Sequence, residues 1–298
     1  MGTSSMYNGP NRSPLLPSDF DDGNGNSDNS DKPNNDPEQK PGENKPENEK
    51  PSENPRENDL PSQESTSNNY TQNSPWTRAK TSMSKYASGH GGKNGKKKAL
   101  SDYVKGRGGS HNAAKSAKSA IRTTINIGDF FGGVSKKGIS QVLKEHQIPT
   151  EGRKPKEILN DVINILAPTP DLNDDSVARK ALINTMSIIY EIFDDEKQDI
   201  TLLDSIDPDI SKKLVIKYIE TFIYERLIHD VGSRIEIKAE NSAAAAKIEK
   251  ELKEYIETKV STTLKDMPLS IINSETKNVH VLVEELYQQC YKVLEDQL

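Results

Sequence analysis

Residues 8–75 carry very few large apolar side chains, and this stretch limits the possible folds more than any other part of the sequence. It consists mainly of Asn, Asp, Glu, Pro, Ser and Lys, and residues 1–75 hold eleven of the seventeen prolines. Such a segment buries too little apolar surface to offset an ordering entropy of about 1–2 kcal/mol per residue. We therefore predict a long disordered amino-terminal tail over residues 1–75, which as a flexible chain would span roughly 50 Å root mean square.

The charge distribution separates two further segments after the acidic tail. Residues 1–75 hold 6 basic and 14 acidic residues, residues 76–122 hold 12 basic and one acidic residue, and residues 123–298 hold 22 basic and 31 acidic residues. We call residues 76–122 the basic collar. Glycine-rich stretches at 89–95 and 106–109 interrupt it, so we expect a partly ordered segment with short helices over residues 99–105 and 112–122.

From residue 123 onward, apolar residues recur at the three- and four-residue steps typical of amphipathic helices. Pro155 suits the first turn of one helix, and the broadest apolar stripe runs from Leu214 to Leu227. Further stripes cover residues 243–266 and 275–296, whereas only residues 234–238, beyond a break at Gly232, alternate like a strand. One short strand cannot form a sheet, so we predict an all-α helical domain of six or seven helices over residues 123–298. The pattern leaves open whether residues 243–266 pack internally or form a coiled coil with another chain.

No arrangement of side chains in the sequence predicts catalysis. The five histidines are isolated, with neither a Cys pair nor a second His at helical spacing, so a zinc site is not expected. The glycines of residues 89–96 resemble a phosphate-binding loop, but their spacing is one residue too long and Lys97 stands where Ser or Thr would hold magnesium. Adjacent acids such as Glu284 and Glu285 point apart on a helix. We therefore expect no catalytic residue, no metal, no cofactor and no enzymatic activity.

The single cysteine, Cys290, falls on the apolar stripe of the last predicted helix, which favours a buried thiol. A lone cysteine is typical of a reducing compartment. The sequence also lacks a signal-peptide pattern and an apolar run of about 18 residues. These features favour a cytoplasmic protein that does not contact the membrane.

The first residues offer a chemically distinctive amine. Methionine before glycine is the kind that an aminopeptidase removes, and removal would leave Gly2 with a free α-amine of pKa about 7.7–8.0. N-myristoylation needs Ser or Thr at position 6, where this chain has Met6. Taken alone, these residues fit an ordinary frayed terminus.

Two stretches together resemble a known family. The first comprises residues 1–5 (Met-Gly-Thr-Ser-Ser) with Tyr7, Gly9-Pro10 and residues 14–17 (Pro-Leu-Leu-Pro), and the second comprises residues 100–104 (Leu-Ser-Asp-Tyr-Val), Gly108-Gly109 and an Ala- and Ser-rich run to Ala120. Both resemble QatB proteins, components of the bacterial Qat anti-phage defence system. The resemblance implies three partners: an ATPase (QatA), a QueC-like enzyme (QatC) and a TatD-like DNase (QatD).

The resemblance also implies a role for the opening residues. QueC-like enzymes activate a carboxylate with ATP, and those in defence systems are thought to transfer the acyl group to a protein amine. Gly2 is the position in this sequence that would supply the amine, and Thr3, Ser4 and Ser5 form a small polar stretch able to enter a narrow partner site. On this hypothesis the chain is a non-catalytic substrate and adaptor.

The alternative hypothesis is a nucleic-acid-binding adaptor. The collar could neutralise phosphates and position phage DNA for a partner nuclease, using six cations: Lys93, Lys96, Lys97, Lys98, Lys105 and Arg107. The sequence shows neither a recognition helix nor an aromatic stacking platform, so we do not expect sequence-specific readout.

Overall fold

Helices make up nearly all of the regular structure in the computed structural model of this chain, which describes residues 74–167, 170, 173–191, 199–205, 210–268, 272 and 276–296. Residues 1–73 of the predicted tail lie outside these residues, whereas Ser74 and Pro75, which the prediction placed in the tail, form the start of α1. Ten α-helices follow one another in the described ranges: α1 (Pro75–Ala87), α2 (Gly95–Gly106), α3 (Gly109–Lys115), α4 (Lys118–Lys137), α5 (Ile139–Glu145), α6 (Pro155–Leu166), α7 (Asn173–Tyr190), α8 (Ile210–Lys238), α9 (Ser242–Leu264) and α10 (Val279–Glu295). A 3₁₀ helix covers Ile200–Ser205. No strand occurs in these ranges, so the prediction of an all-α domain is confirmed.

Local sequence signals explain several helix starts. Pro155 occupies the first turn of α6, as predicted, where its missing N–H costs nothing. In α1, Ser74 accepts a hydrogen bond from the Thr77 N–H at 3.1 Å, and Pro75 follows it. Asn241 caps α9 in the same way, accepting from the Ala244 N–H at 2.9 Å. These side chains satisfy amides that the helix itself leaves without acceptors.

The long helix α8 lies at the centre of the packing, in contact with α1, α4, α7 and α9. Its predicted apolar stripe is buried: Leu214, Val215, Tyr218, Ile219, Phe222, Ile223 and Leu227 are each at most 1% exposed. The predicted break at Gly232 and the strand-like residues 234–238 were wrong, because α8 continues to Lys238. Val231 and Ile235 continue the four-residue spacing from Leu227 into the core, and this burial outweighs the low helix propensity of one glycine.

The last two helices close the core. α9 contacts α8 and α10, and its apolar stripe of Leu252, Ile256, Val260 and Leu264 is buried. The stripe over residues 243–266 therefore packs internally. α10 begins at Val279, later than the predicted start at residue 275, which lies outside the described residues.

The basic collar folds as α1, α2, α3 and the first turn of α4, and its apolar residues join the common core. The predicted helix over residues 99–105 extends over Gly95–Gly106, and the one predicted over residues 112–122 is divided between α3 and α4. The sequence did not predict α1, which contacts both α2 and α8. α4 is continuous across residues 122 and 123, so the change in charge does not coincide with a break in the chain.

Residues Gln72–Leu298 form one compact unit. Within the described ranges, none of the helices combines the length and the apolar content that crossing a bilayer requires.

Candidate basic cleft and interaction surface

The predicted modification site falls where the structure gives no description. Gly2 and the adjoining Thr3, Ser4 and Ser5 lie outside the described residues. Their proposed role therefore rests on the sequence.

Residues 100–104, which begin the second stretch that resembles QatB proteins, are all buried. Ser101 Oγ donates a hydrogen bond to the Glu295 carbonyl oxygen of α10 at 2.6 Å. Tyr103 OH donates to Asp230 Oδ2 of α8 at 2.9 Å. These bonds tie α2 to two distant helices, so the stretch has a structural role in holding the collar in the domain.

A buried polar network around Arg226 extends this attachment. Arg226 is 4% exposed and donates to the carbonyl oxygens of Ala113 and Ser116 at 3.0 and 3.3 Å, and to Ser116 Oγ at 2.9 Å. It also faces Asp174 Oδ1 at 3.6 Å. Burial raises the pKa of Asp174. One charged side chain of α8 therefore donates hydrogen bonds to the backbone at the end of α3 and at the α3–α4 junction.

Three of the six cations predicted to contact nucleic acid are engaged within the protein. Lys96 Nζ lies 5.3 Å from the centre of the Tyr255 ring, a cation–π distance. Lys98 faces Asp102, the one acid of the collar, at 3.2 Å, and the Arg107 guanidinium faces Asp230 at 2.9 Å. Residues of the helical domain thus engage Lys96 and Arg107, whereas Lys98 pairs within the collar itself.

The other three predicted cations remain available. Lys93, Lys97 and Lys105 are exposed and form no ion pair with the residues that the structure describes. The structure thus divides the six predicted cations into three that interact with other side chains and three that form no ion pair among the described residues.

An open cleft of about 660 Å³ lies where α1, the end of α2 and the α3–α4 junction meet. Its lining residues share small, polar or basic character apart from one aromatic ring: Trp76, Gly106, Arg107, Asn112, Lys115, Ser116 and Lys118. Only Arg107 belongs to the predicted site. The others come from separate helices, and no linear spacing links Trp76 to residues 112–118, so sequence reasoning missed the cleft.

Gly106 brings the aromatic ring close to α2. A Cβ atom at this position would lie 2.8 Å from Trp76 Cε3 and 3.1 Å from Ala79 Cβ. The centre of the Tyr103 ring lies 6.2 Å from that of Trp76. The indole is therefore held in the wall of the cleft by close packing.

A second groove of about 500 Å³ between α7, α8 and α9 is also rich in lysine, but its charges bind the helices together. Lys217 Nζ donates to Glu257 Oε1 at 2.6 Å, and Lys212 Nζ donates to the Lys265 carbonyl oxygen at 2.7 Å. Glu220 accepts from Ser261 Oγ, and burial raises the pKa of Glu220. These contacts give the groove a structural role.

Nucleophiles and metal ligands do not converge in the described ranges. No group of three or more His, Cys, Asp or Glu residues there has the geometry to hold a metal ion. Cys290 is buried, as its position on the apolar stripe predicted, and burial raises the pKa of its thiol above the ordinary range.

The described residues thus define an all-α domain that carries an open basic cleft and three exposed lysines of the predicted set. Comparison with known families places it more narrowly: the family model described as "Qat anti-phage system associated protein QatB" matches residues 108–294. The chain belongs to the QatB family and is a component of the Qat anti-phage system. The match covers Gly108-Gly109 and the Ala- and Ser-rich run to Ala120 of the second resembling stretch, and it excludes residues 1–17 and 100–104.

Two further comparisons found nothing. No curated protein matches the chain, and no solved structure matches it.

Proposed function

We propose that the chain is a non-catalytic substrate and adaptor of the Qat system, in which the QueC-like partner QatC acylates Gly2 after removal of Met1. Membership of the QatB family carries the proposal, because it makes this chain one of several proteins that act together in defence. The opening residues, which resemble those of QatB proteins, supply the acceptor.

The proposed reaction forms an amide. The neutral α-amine of Gly2, with a reference pKa of about 7.7–8.0, attacks an acyl carbon that QatC has activated with ATP. The new bond joins the Gly2 nitrogen to the acyl carbon, and the bond from that carbon to the activating group breaks. The activating group leaves with the electron pair, and the amine gives up a proton. The chemistry is the partner's, so this chain needs to supply only an unhindered amine.

The rest of the chain would present this amine. Thr3, Ser4 and Ser5 are small enough to follow Gly2 into a narrow site on QatC. A segment of about 70 residues with the composition of residues 8–75 would give the terminus a long reach. The helical domain would dock on QatA or QatC, which raises the effective concentration of Gly2 near the enzyme.

Substitution of Gly2 tests the proposal in cells that express all four components. Gly2→Leu should abolish protection against phage and remove the added mass from the amino-terminal peptide, because its side chain blocks Met1 removal and crowds the amine. Gly2→Ala, which still permits Met1 removal, should retain part of both signals. Gly23→Leu, outside the opening stretch of residues 1–17, is the matched control and should retain both. Full protection by the Gly2→Leu variant would overturn the proposal.

A second candidate function is nucleic-acid binding that positions DNA for the QatD nuclease, and the available Lys93, Lys97 and Lys105 favour it. Binding to duplex or single strands should then weaken steeply with salt. Replacing these three lysines with Gln should lower the slope of log affinity against log salt by about 3. Lys96, Lys98 and Arg107 are poor test positions because each already interacts with another side chain of the protein. A slope that does not change excludes these lysines as the contact surface.

A further inference from the structure

We propose that the cleft between α1, α2 and the α3–α4 junction binds a nucleoside phosphate, with Trp76 against the base and with Lys115 and Lys118 on the phosphate. The cleft joins the only tryptophan of the chain to three cations. This inference does not depend on acylation of Gly2, and it concerns residues outside the set predicted from the sequence, apart from Arg107.

The charge of the cleft favours an anion. None of the described residues that line it is acidic. The positive charge of Arg107 is compensated by Asp230 behind it. Lys115 and Lys118 are exposed and form no ion pair within the described part of the chain. Two uncompensated cations on one side of a concave surface therefore face solvent and are suited to phosphate oxygens.

The floor of the cleft is fixed before any ligand arrives. Arg107 Nη1 donates to Asp230 Oδ2 at 2.9 Å, and Arg107 Nη2 donates to Ser116 Oγ at 3.3 Å. Ser116 Oγ also accepts from Arg226 at 2.9 Å. Asn112 Nδ2 donates to the Gly108 carbonyl oxygen at 3.0 Å. Because these side chains are already ordered, a ligand would lose little free energy in ordering them.

The aromatic wall distinguishes a nucleoside phosphate from a simple anion. Inorganic phosphate would use the lysines alone, whereas a base can also stack on an indole, a contact of about 1–3 kcal/mol in single-strand-binding proteins. Trp76 is half-buried, fixed by Gly106 and Tyr103, and lines the cleft. The cleft is open to solvent, so a bound nucleoside phosphate would keep part of its surface exposed. The same chemistry is found in a free nucleotide and in the phosphorylated end of a single strand.

The fluorescence of Trp76 provides a direct test, because no other tryptophan contributes. Full-length protein is titrated separately with ATP, GTP, a 5′-phosphorylated oligodeoxynucleotide, the unphosphorylated nucleosides and inorganic phosphate. Free tryptophan amide under the same conditions corrects for absorption by the bases. We expect saturable changes with the phosphorylated nucleosides and much weaker binding of the nucleosides and of phosphate. Whichever binds more tightly, the free nucleotide or the oligonucleotide, identifies the source of the natural ligand.

Paired variants connect the signal to the cleft while leaving the reporter in place. Lys115→Gln with Lys118→Gln should weaken binding by about tenfold or more, from the loss of charge-assisted hydrogen bonds. Lys136→Gln with Lys144→Gln removes the same charge from exposed positions that form no ion pair in the described ranges, and it should leave binding unchanged. Far-ultraviolet circular dichroism and urea unfolding check that both variants fold.

Three results would overturn the proposal. They are a Trp76 signal that none of the phosphorylated probes changes, a folded Lys115/Lys118 variant that binds as tightly as the wild type, and unphosphorylated nucleosides that bind as tightly as their phosphates.

Discussion

At the scale of single residues, Arg226 contributes most to holding α3 and the start of α4 on the domain. Replacing it with Leu would remove the charged donor from the Ala113 and Ser116 carbonyl oxygens and would leave the Asp174 carboxylate without the guanidinium that it faces. We expect the free energy of unfolding to fall by about 3–5 kcal/mol, measured by urea denaturation. Arg122→Leu is the matched control, because the Arg122 side chain is 58% exposed and faces Asp175 at 3.4 Å. Arg122→Leu should lower the free energy of unfolding by less than about 1 kcal/mol. Equal losses of unfolding free energy in the two variants would contradict the prediction.

Glu220 should make stability depend on pH. Burial raises the pKa of Glu220 in the folded state. Its contribution to stability is therefore full below the unfolded pKa of about 4.3 and is lost as pH rises through the folded pKa. Glu220→Gln removes this dependence, so the free energy of unfolding of the variant, relative to the wild type, should rise between about pH 4 and pH 7.

Urea unfolding at a series of pH values measures this difference. The control is Glu254→Gln, whose carboxylate is 61% exposed and faces Lys250 at 3.9 Å. Its difference from the wild type should vary less with pH. A Glu220→Gln difference that stays constant across the range would show that Glu220 is not perturbed by burial.

At the scale of elements, two glycines four residues apart in α4 should respond in opposite ways to the same change. A Cβ atom at Gly128 would lie 2.5 Å from the carbonyl oxygen of Ile272, whereas one at Gly132 would meet nothing within 4 Å. Gly128→Ala forces backbone apart and should lower the free energy of unfolding by about 1–3 kcal/mol. Gly132→Ala should raise it by about 0.5–1 kcal/mol through helix propensity. Urea unfolding measures both, and destabilisation by Gly132→Ala would contradict the described packing.

The sequence predicted helices well where one apolar stripe continued, and less well where local signals competed with packing. Residues Leu214 to Leu227 gave a clear stripe. Gly232 and the alternation after it indicated a break, yet Val231 and Ile235 face the core and keep α8 intact. In the collar, the sequence predicted helices over residues 99–105 and 112–122 but missed α1, whose apolar residues are buried only by contact with α2 and α8.

The cleft was beyond sequence reasoning for a geometric reason. Trp76, Arg107, Lys115 and Lys118 come from α1, the residue after α2, the end of α3 and the start of α4. Counting charges identified the basic residues of the collar, but it could not predict which of them the rest of the domain would neutralise. That depended on Asp230 and Tyr255, more than 100 residues later in the chain.

At the scale of the whole molecule, we expect the stability of the fold and the presentation of Gly2 to depend on different parts of the chain. Residues Gln72–Leu298 form one compact unit, so deletion of residues 1–71 should change the thermal midpoint by less than about 2 °C, the lower end of the shift of about 2–4 °C that 1 kcal/mol produces in a domain of this size. The same deletion should abolish phage protection, because it removes Gly2. Calorimetry and plaque counts measure the two effects. A truncated chain that protects fully would contradict the account, and so would a large fall in midpoint.

The most direct test of the central claim is the intact mass of the full-length chain purified from cells with and without the QueC-like partner, the other components being present in both. The account predicts loss of Met1 in both samples and one added acyl group, mapped to Gly2, only when QatC is present. Identical masses in the two samples, or an added group that maps to a lysine instead of Gly2, would contradict it.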